Sequence, residues 1–297
     1  FPDFYNGFVT NGEAPMEDLL ILQNLKPFGY KLSRGHFSVD YDHVVLSFKQ
    51  LGRFHVLSYA AKADDFEGFK KRKDKLLKVL YRKETQDVFL RGITPLLDKY
   101  GKELQALVDA LEDPVGLVLR MTTPEEPLAV LCHGDFCRNN IFYKYDHGRP
   151  VQVKFFDLAT CKYSSPAVDL AFFLFLSVSS ESRIKHWDDF LEAYHEGLSN
   201  AVPGTVVPSL DDVKEEMKKK AVYVYVLCNY FIPIMLGGEW DTEHFEKLSE
   251  EERLEAGPRG GRPGPSASRQ SPDDQGVPRC AKKKTYVNLK HVNLNIE

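Results

Sequence analysis

An α+β fold is what this sequence predicts, and three observations predict it. Segments of helical period lie on both sides of the chain's centre. The centre itself, from Ala129 to Phe156, switches to short runs that read as strands. At 297 residues and 43% hydrophobic content, with 12% aromatic residues, the chain is long and apolar enough for one large core or two lobes.

Taken in order, "EDLLILQNL" (Glu17 to Leu25) reads as a buried strand followed by a loop. "SVDYDHVVLSFKQLGRFHVLSYAAK" reads as a helix, because Val44, Val45, Phe48, Leu51 and His55 fall at helical spacing. Ser38 or Asp40 can cap its start. Gly52 inside it costs about 1 kcal/mol against alanine, which close packing on another helix would explain. "DDFEGFKKRKDKLLKVLYRKE" is charged and amphipathic. Its run Lys70 to Lys75 is a solvated helix face or a nuclear address, and the solvated face is the simpler reading. Thr85 to Asp113 is a further helical region, with Gly92 and Pro95 marking a break or a start.

"AVLC" is then a short strand, and "IFYKY" and "VQVKFF" are two more, joined by the turn sequence "DHGRP". A helix begins at Pro166 in "SPAVDLAFFLFL". Helices follow at Arg183 to Leu198, Leu210 to Lys220 and Ala221 to about Phe231, and the last two can be read as one. The apolar run Ala221 to Leu236 contains Asn229 and Pro233 and is short for a membrane span, so it reads as a buried core helix. From Gly257 to Pro278 the chain is mostly Gly, Pro and Ser and should be disordered.

Composition excludes little else. The net charge of -4 carries no strong basic field, so a nucleic-acid partner is not expected. The five cysteines are irregularly spaced, with no CxxC pair, which argues against a structural zinc site and for a reducing, cytoplasmic setting. No membrane association and no obligate protein partner are expected.

The chemistry concentrates in "LCHGDFCRNNIFYKYDHGRPVQVKFFDLAT". Asn140 starts one hairpin strand and Asp157 lies just past the end of its partner. An antiparallel hairpin brings those ends together, and Asp135 lies five residues before Asn140. Two carboxylates and an amide oxygen are hard ligands suited to Mg²⁺ beside phosphate oxygens. The spacing also fits kinase-type phosphoryl transfer, where one Asp positions the attacking hydroxyl and an Asn and a second Asp hold metal. Each residue alone has an ordinary reading as a loop, turn or capping residue. Their joint spacing on one strand-turn-strand favours the site. His133 reads as a loop-shaping residue that hydrogen-bonds backbone. Asp169, a lone acid opening an apolar helix, either caps that helix or holds the catalytic loop.

"HGDFCRNN", "FFDLAT" and "SPAVDLAFFLF" together resemble the ecdysteroid-kinase-like family of insects, within the choline kinase and aminoglycoside phosphotransferase superfamily. The resemblance covers most of Phe1 to about Leu254. It implies a protein-kinase-like fold, mainly the helical large lobe, with most of the small lobe missing. Residues 1–25 would be a remnant of the small lobe and the hinge strand, 26–255 the large lobe, and 256–297 an atypical disordered tail. It implies ATP and magnesium as cofactors and a small hydroxylated substrate, an ecdysteroid or similar alcohol. Asp135 would be the catalytic aspartate, Asn140 and Asp157 the metal ligands, and the backbone of Gln23, Asn24 and Leu25 the adenine contacts. His133 and Asp169 would be structural support.

The chain departs from the family at both ends. No Gly-rich loop leading to a lysine precedes the hinge, since the first lysine is Lys26. A truncated or mis-spliced gene model would account for both ends, and weak activity or none is expected of the chain as written. The alternative is a non-enzymatic kinase-like binding protein. The retained Asp135, Asn140 and Asp157 weigh against it. A metal-dependent hydrolase using His133, Asp135 and Asp157 lacks further histidines at ligand spacing.

Overall fold

The computed structural model describes residues 1–10, 13–35, 38–74, 76 and 97–236. Its architecture is α+β: small antiparallel sheets set against a body of helices. Strand β1 (Phe4–Phe8) pairs with β2 (Leu19–Leu22). β3 (Tyr30–Leu32) pairs with β5 (Ile141–Asp146), which pairs with β6 (Arg149–Phe155). β4 (Val130–Cys132) pairs with β7 (Lys162–Ser164). The β5–β6 hairpin turns through His147 and Gly148, both at positive φ, as a tight right-twisting hairpin requires.

The strand expected at Glu17–Leu25 exists, but only over Leu19–Leu22, and it is exposed rather than buried. Its apolar run reads as a buried strand from sequence. Among the described residues, however, β1 is its one neighbour in the sheet, so its side chains stay open. Leu25, just past its end, is the buried residue.

Helix α1 (Tyr41–Asp64) is capped by Asp40, whose carboxylate accepts the His43 amide. Val44, Phe48, Leu51 and His55 are buried on one stripe, while Val45 lies at its edge. Helix α2 (Phe66–Lys73) buries Phe69 and leaves Lys70, Lys71 and Arg72 exposed, so this part of the basic run is a solvated face. Next come α3 (Leu97–Ala110) and α4 (Pro114–Thr122), the latter capped by Asp113. Gly92, Lys75 and the tail from residue 256 lie outside the described residues.

After the strands, α5 (Ala167–Ser177) is buried nearly all round, and α6 (Ser180–Asn200) runs against α1. Gly52 and Gly197 make that crossing possible. A Cβ on Gly52 would sit 2.2 Å from the Tyr194 carbonyl oxygen and 2.5 Å from the Leu198 nitrogen. A Cβ on Gly197 would sit 2.0 Å from the Lys49 oxygen. The helix-breaking tendency of Gly52 is therefore offset by backbone-to-backbone packing. Gly52→Ala must push the two helices apart and should cost about 1–3 kcal/mol by urea denaturation. A variant as stable as the parent would mean that the crossing is looser than this.

Helices α7 (Leu210–Lys220) and α8 (Tyr223–Leu236) are separate, not one continuous helix. Lys220 is buried, and its Nζ donates to the Thr123 oxygen and to Glu125, which pins the end of α7 beside α4. Beyond it the chain changes from a one-sided stripe to a run buried on every side. Ala221 to Val226 and Cys228 are buried, so this run is core, and the Tyr223 hydroxyl donates to the Val168 carbonyl. Among the described residues no helix is long and apolar enough to cross a membrane.

Candidate active site

The loop from Cys132 to Asn140 is fixed at several points before any ligand is considered. Gly134 has φ +88°, and a Cβ there would lie 2.0 Å from the Thr160 oxygen, so only glycine fits. Phe136 is fully buried and packs on Phe155 and Phe173. Asp135 stands between these two anchors. Arg138 ties the far side: its amide donates to the Ser177 hydroxyl and its guanidinium to the Gly35 carbonyl.

Asn140 ends a short 3-10 turn immediately before β5. Its Nδ2 donates to the Asp135 carbonyl at 2.9 Å and to the Asp135 carboxylate at 2.8 Å. With two acceptors on that side, the amide nitrogen must face Asp135, and the side-chain oxygen is left for another partner. The Asn140 carbonyl accepts the Phe156 amide, and the Phe156 carbonyl lies 2.8 Å from His133 Nε2. Both polar groups of Phe156 are thus held. That fixes the next residue, Asp157, in the left-handed region at φ 64°, where aspartate is tolerated better than most side chains. The Asp157 carboxylate is exposed and, among the described residues, accepts the Ala159 amide alone, at 3.4 Å.

Burial pushes the Asp135 carboxyl above its ordinary value. The Asn140 hydrogen bond opposes this and the nearby Asp157 charge adds to it. A carboxylate raised in this way is a better proton acceptor than an exposed one.

The structure therefore brings Asp135, Asn140 and Asp157 to one end of the β5–β6 hairpin. It places His133 as a loop-shaping residue through its bond to Phe156. Asp169 does not cap α5, whose N-cap is Pro166 without a side-chain bond. It lies fully buried and accepts the His133 amide at 2.7 Å and the Gly134 amide at 2.9 Å. Burial works to raise its pKa, but the His55 hydrogen bond, the neighbouring His55 and His133 rings and the Gly134 amide outweigh it and hold the carboxyl low.

Gln23, Asn24 and Leu25 lie beside the outer face of the same hairpin, where Lys154 Nζ donates to Gln23 Oε1. The Gln23 amide is used by the Asp3 carbonyl, and the Leu25 carbonyl accepts Phe28 and Tyr30. The Gln23 carbonyl and the Leu25 amide, two residues apart, have no backbone partner among the described residues. The Asn24 side chain is spent on the Lys26 amide.

Sequence reasoning missed two groups on that face. Phe142 and Phe156 stack at 4.5 Å, with their planes 24° apart, next to Asp157. Strand alternation could have put Phe142 and Lys154 on one face, but the stacking with Phe156 depends on how the hairpin ends.

The donor set fits magnesium: the amide oxygen of Asn140, which has no partner among the described residues, and the exposed carboxylate of Asp157 are both hard oxygens. A second cluster does not fit an ion. His55, Cys132 and Asp169 lie close enough to share one. Yet His55 and Asp169 bond each other and Cys132 Sγ lies 3.2 Å from the Ser165 oxygen, so these groups are already partnered. A cavity of ≈ 750 Å³ opens elsewhere, between Lys31, Arg34, His43, Tyr145 and Ser179. None of the candidate residues lines it.

A family model described as "Ecdysteroid kinase-like family" matches residues 2–203. No curated protein matches the chain. Among solved structures, an ethanolamine kinase from Plasmodium vivax is similar over 82% of this chain, at 16% identity and a TM-score of 0.42. The chain spans 64% of that protein's length.

Proposed function

Because the chain belongs to the ecdysteroid kinase-like family, we propose that its site transfers the γ-phosphoryl group of ATP to a hydroxyl of a small molecule, an ecdysteroid or a similar alcohol. The observation that carries this reading is the locked Asn140 amide. It spends its nitrogen on Asp135 and keeps its oxygen for a cation, beside the exposed Asp157.

In this reading Asp135 accepts the hydroxyl proton as the acceptor oxygen bonds to phosphorus, and the bond to the bridging β–γ oxygen breaks to release ADP. Asn140 and Asp157 would hold the magnesium ion, which when bound neutralises charge on the phosphate oxygens. Phe142 and Phe156 would form a platform for the adenine ring. The Gln23 carbonyl and the Leu25 amide would accept from and donate to its edge. Residues 26–255 would be the large lobe and residues 1–25 the hinge side. Weak turnover by this chain on its own and a cytoplasmic setting belong to the same proposal, as does the absence of a nucleic-acid partner, which the net charge of -4 supports.

Titration calorimetry with Mg-ATP tests the site without requiring an acceptor. Asp157→Asn should weaken magnesium-dependent nucleotide binding by about tenfold or more. Equal Mg-ATP affinity in parent and variant would remove Asp157 from the metal site. Steroid alcohols offered with labelled ATP then test the acceptor class. A binding protein that holds such alcohols with no phosphate transfer would favour the non-enzymatic alternative.

A further inference from the structure

We infer that His55 and Tyr194 are positioning residues for the catalytic loop, linking the α1–α6 crossing to the peptide groups that precede Asp135. This rests on the reading of Asp135 as the base. The path is continuous, and it is buried as far as the His133 amide. The Tyr194 hydroxyl lies 3.0 Å from His55 Nδ1, and His55 Nε2 lies 3.1 Å from Asp169 Oδ2. That same oxygen accepts the His133 amide, and Asp169 Oδ1 accepts the Gly134 amide. His55, Asp169 and Tyr194 have no exposed surface.

The chemistry assigns a direction to each bond. Asp169 already accepts two backbone amides, as a carboxylate does, so it accepts from His55 Nε2–H as well. When His55 is the neutral imidazole, its Nδ1 carries the lone pair and Tyr194 donates to it. Tyr194 thereby selects the tautomer that serves Asp169. The other tautomer would turn a lone pair toward the carboxylate. The crossing sets the distance. Gly52 lies three residues before His55 and Gly197 three after Tyr194, and their backbone contact leaves the two helices no room to approach further. Small shifts of a group that aims a base are costly to turnover even when the fold is intact.

Tyr194→Phe is the test, because it removes one oxygen atom and preserves the ring. The full chain is read in two ways: hydrogen exchange of the His133 and Gly134 amides, and turnover with Mg-ATP. Exchange at these amides should rise about tenfold or more relative to the helix amides. The kcat should fall about tenfold, with KM for Mg-ATP within about twofold. Ser47→Ala is the control. It breaks another buried bond of α1, from Ser47 Oγ to the Tyr143 hydroxyl at 2.8 Å, and should leave loop exchange and kcat unchanged.

A folded Tyr194→Phe protein with parental loop exchange overturns the inference. So does a Ser47→Ala protein with the same loop effect. If Tyr194→Phe does not fold, His55→Phe, which keeps a ring but donates nothing to Asp169, is judged by the same two criteria. Asp135→Asn is assayed beside them. Parental turnover in that variant would defeat the kinase reading, while the exchange data would still decide the relay.

Discussion

Asp135→Asn is expected to lose phosphoryl transfer and to gain stability. A general base contributes about 10²–10⁴ in rate, so kcat should fall by that factor, with KM for Mg-ATP little changed. The opposite effect on folding follows from the same burial. Folding takes the Asp135 carboxyl out of water and sets it near Asp157, so the folded protein holds its pKa above the unfolded value. Between the two values the folded state binds the proton and the unfolded state does not. Stability from this group is therefore greatest below the unfolded value and falls as pH rises through the folded one. Asparagine has no charge to desolvate and can still accept from Asn140 Nδ2. In metal-free buffer the variant should melt higher than the parent at neutral pH, and the gap should narrow toward acid pH. A variant that melts lower at neutral pH would show that the carboxylate is stabilising where it stands. Parental turnover would remove Asp135 from the chemistry. Sites that trade stability for function are expected to behave in this divided way.

Asp169→Ala should be the most destabilising single change in the site. It removes the acceptor for the His133 and Gly134 amides and for buried His55. Breaking a buried pair by removing one partner costs about 3–5 kcal/mol, against a total stability of about 5–15 kcal/mol for a typical domain. Urea denaturation at neutral pH measures it, and a loss below about 1 kcal/mol would contradict the geometry. The pH dependence has the opposite sign to that of Asp135. The Asp169 pKa is depressed in the folded state. Its contribution is present above the unfolded value and is lost as pH falls through the folded one. The difference between parent and variant should therefore shrink in acid.

Much of the fold was legible in the sequence because it rests on local regularities. Helical spacing placed α1, and its buried stripe through Val44, Phe48, Leu51 and His55 is as expected. Leu210–Lys220 has the expected bounds, with its Ser209 and Asp212 capping box. The turn chemistry of "DHGRP" located the hairpin. The short strands β1, β3 and β7 were not legible, since three to five residues carry too little pattern and depend on their partners. The exposure of Leu19–Leu22 was misjudged for a related reason: an apolar run states what could be buried, not whether another element arrives to cover it.

The site divides along the same line. Asp135, Asn140 and Asp157 could be grouped from sequence alone, because a hairpin is a local structure whose ends must meet. Which way the Asn140 amide faces, why Asp157 sits at positive φ, and what holds the loop were decided only in three dimensions. Asp169 shows the limit most clearly. As a lone acid at the start of an apolar helix, it had two readings, as a cap or as a tether for the loop. The choice required its partners, His133 and Gly134, more than thirty residues away along the chain, and His55, 114 residues away. Spacing along the chain determines which residues share a face or a turn. Burial and hydrogen bonding between distant segments determine what those residues can do there. The sequence by itself thus specified most of the elements and the candidate site groups, and the tertiary packing of α1, α5 and α6 decided how those groups are held.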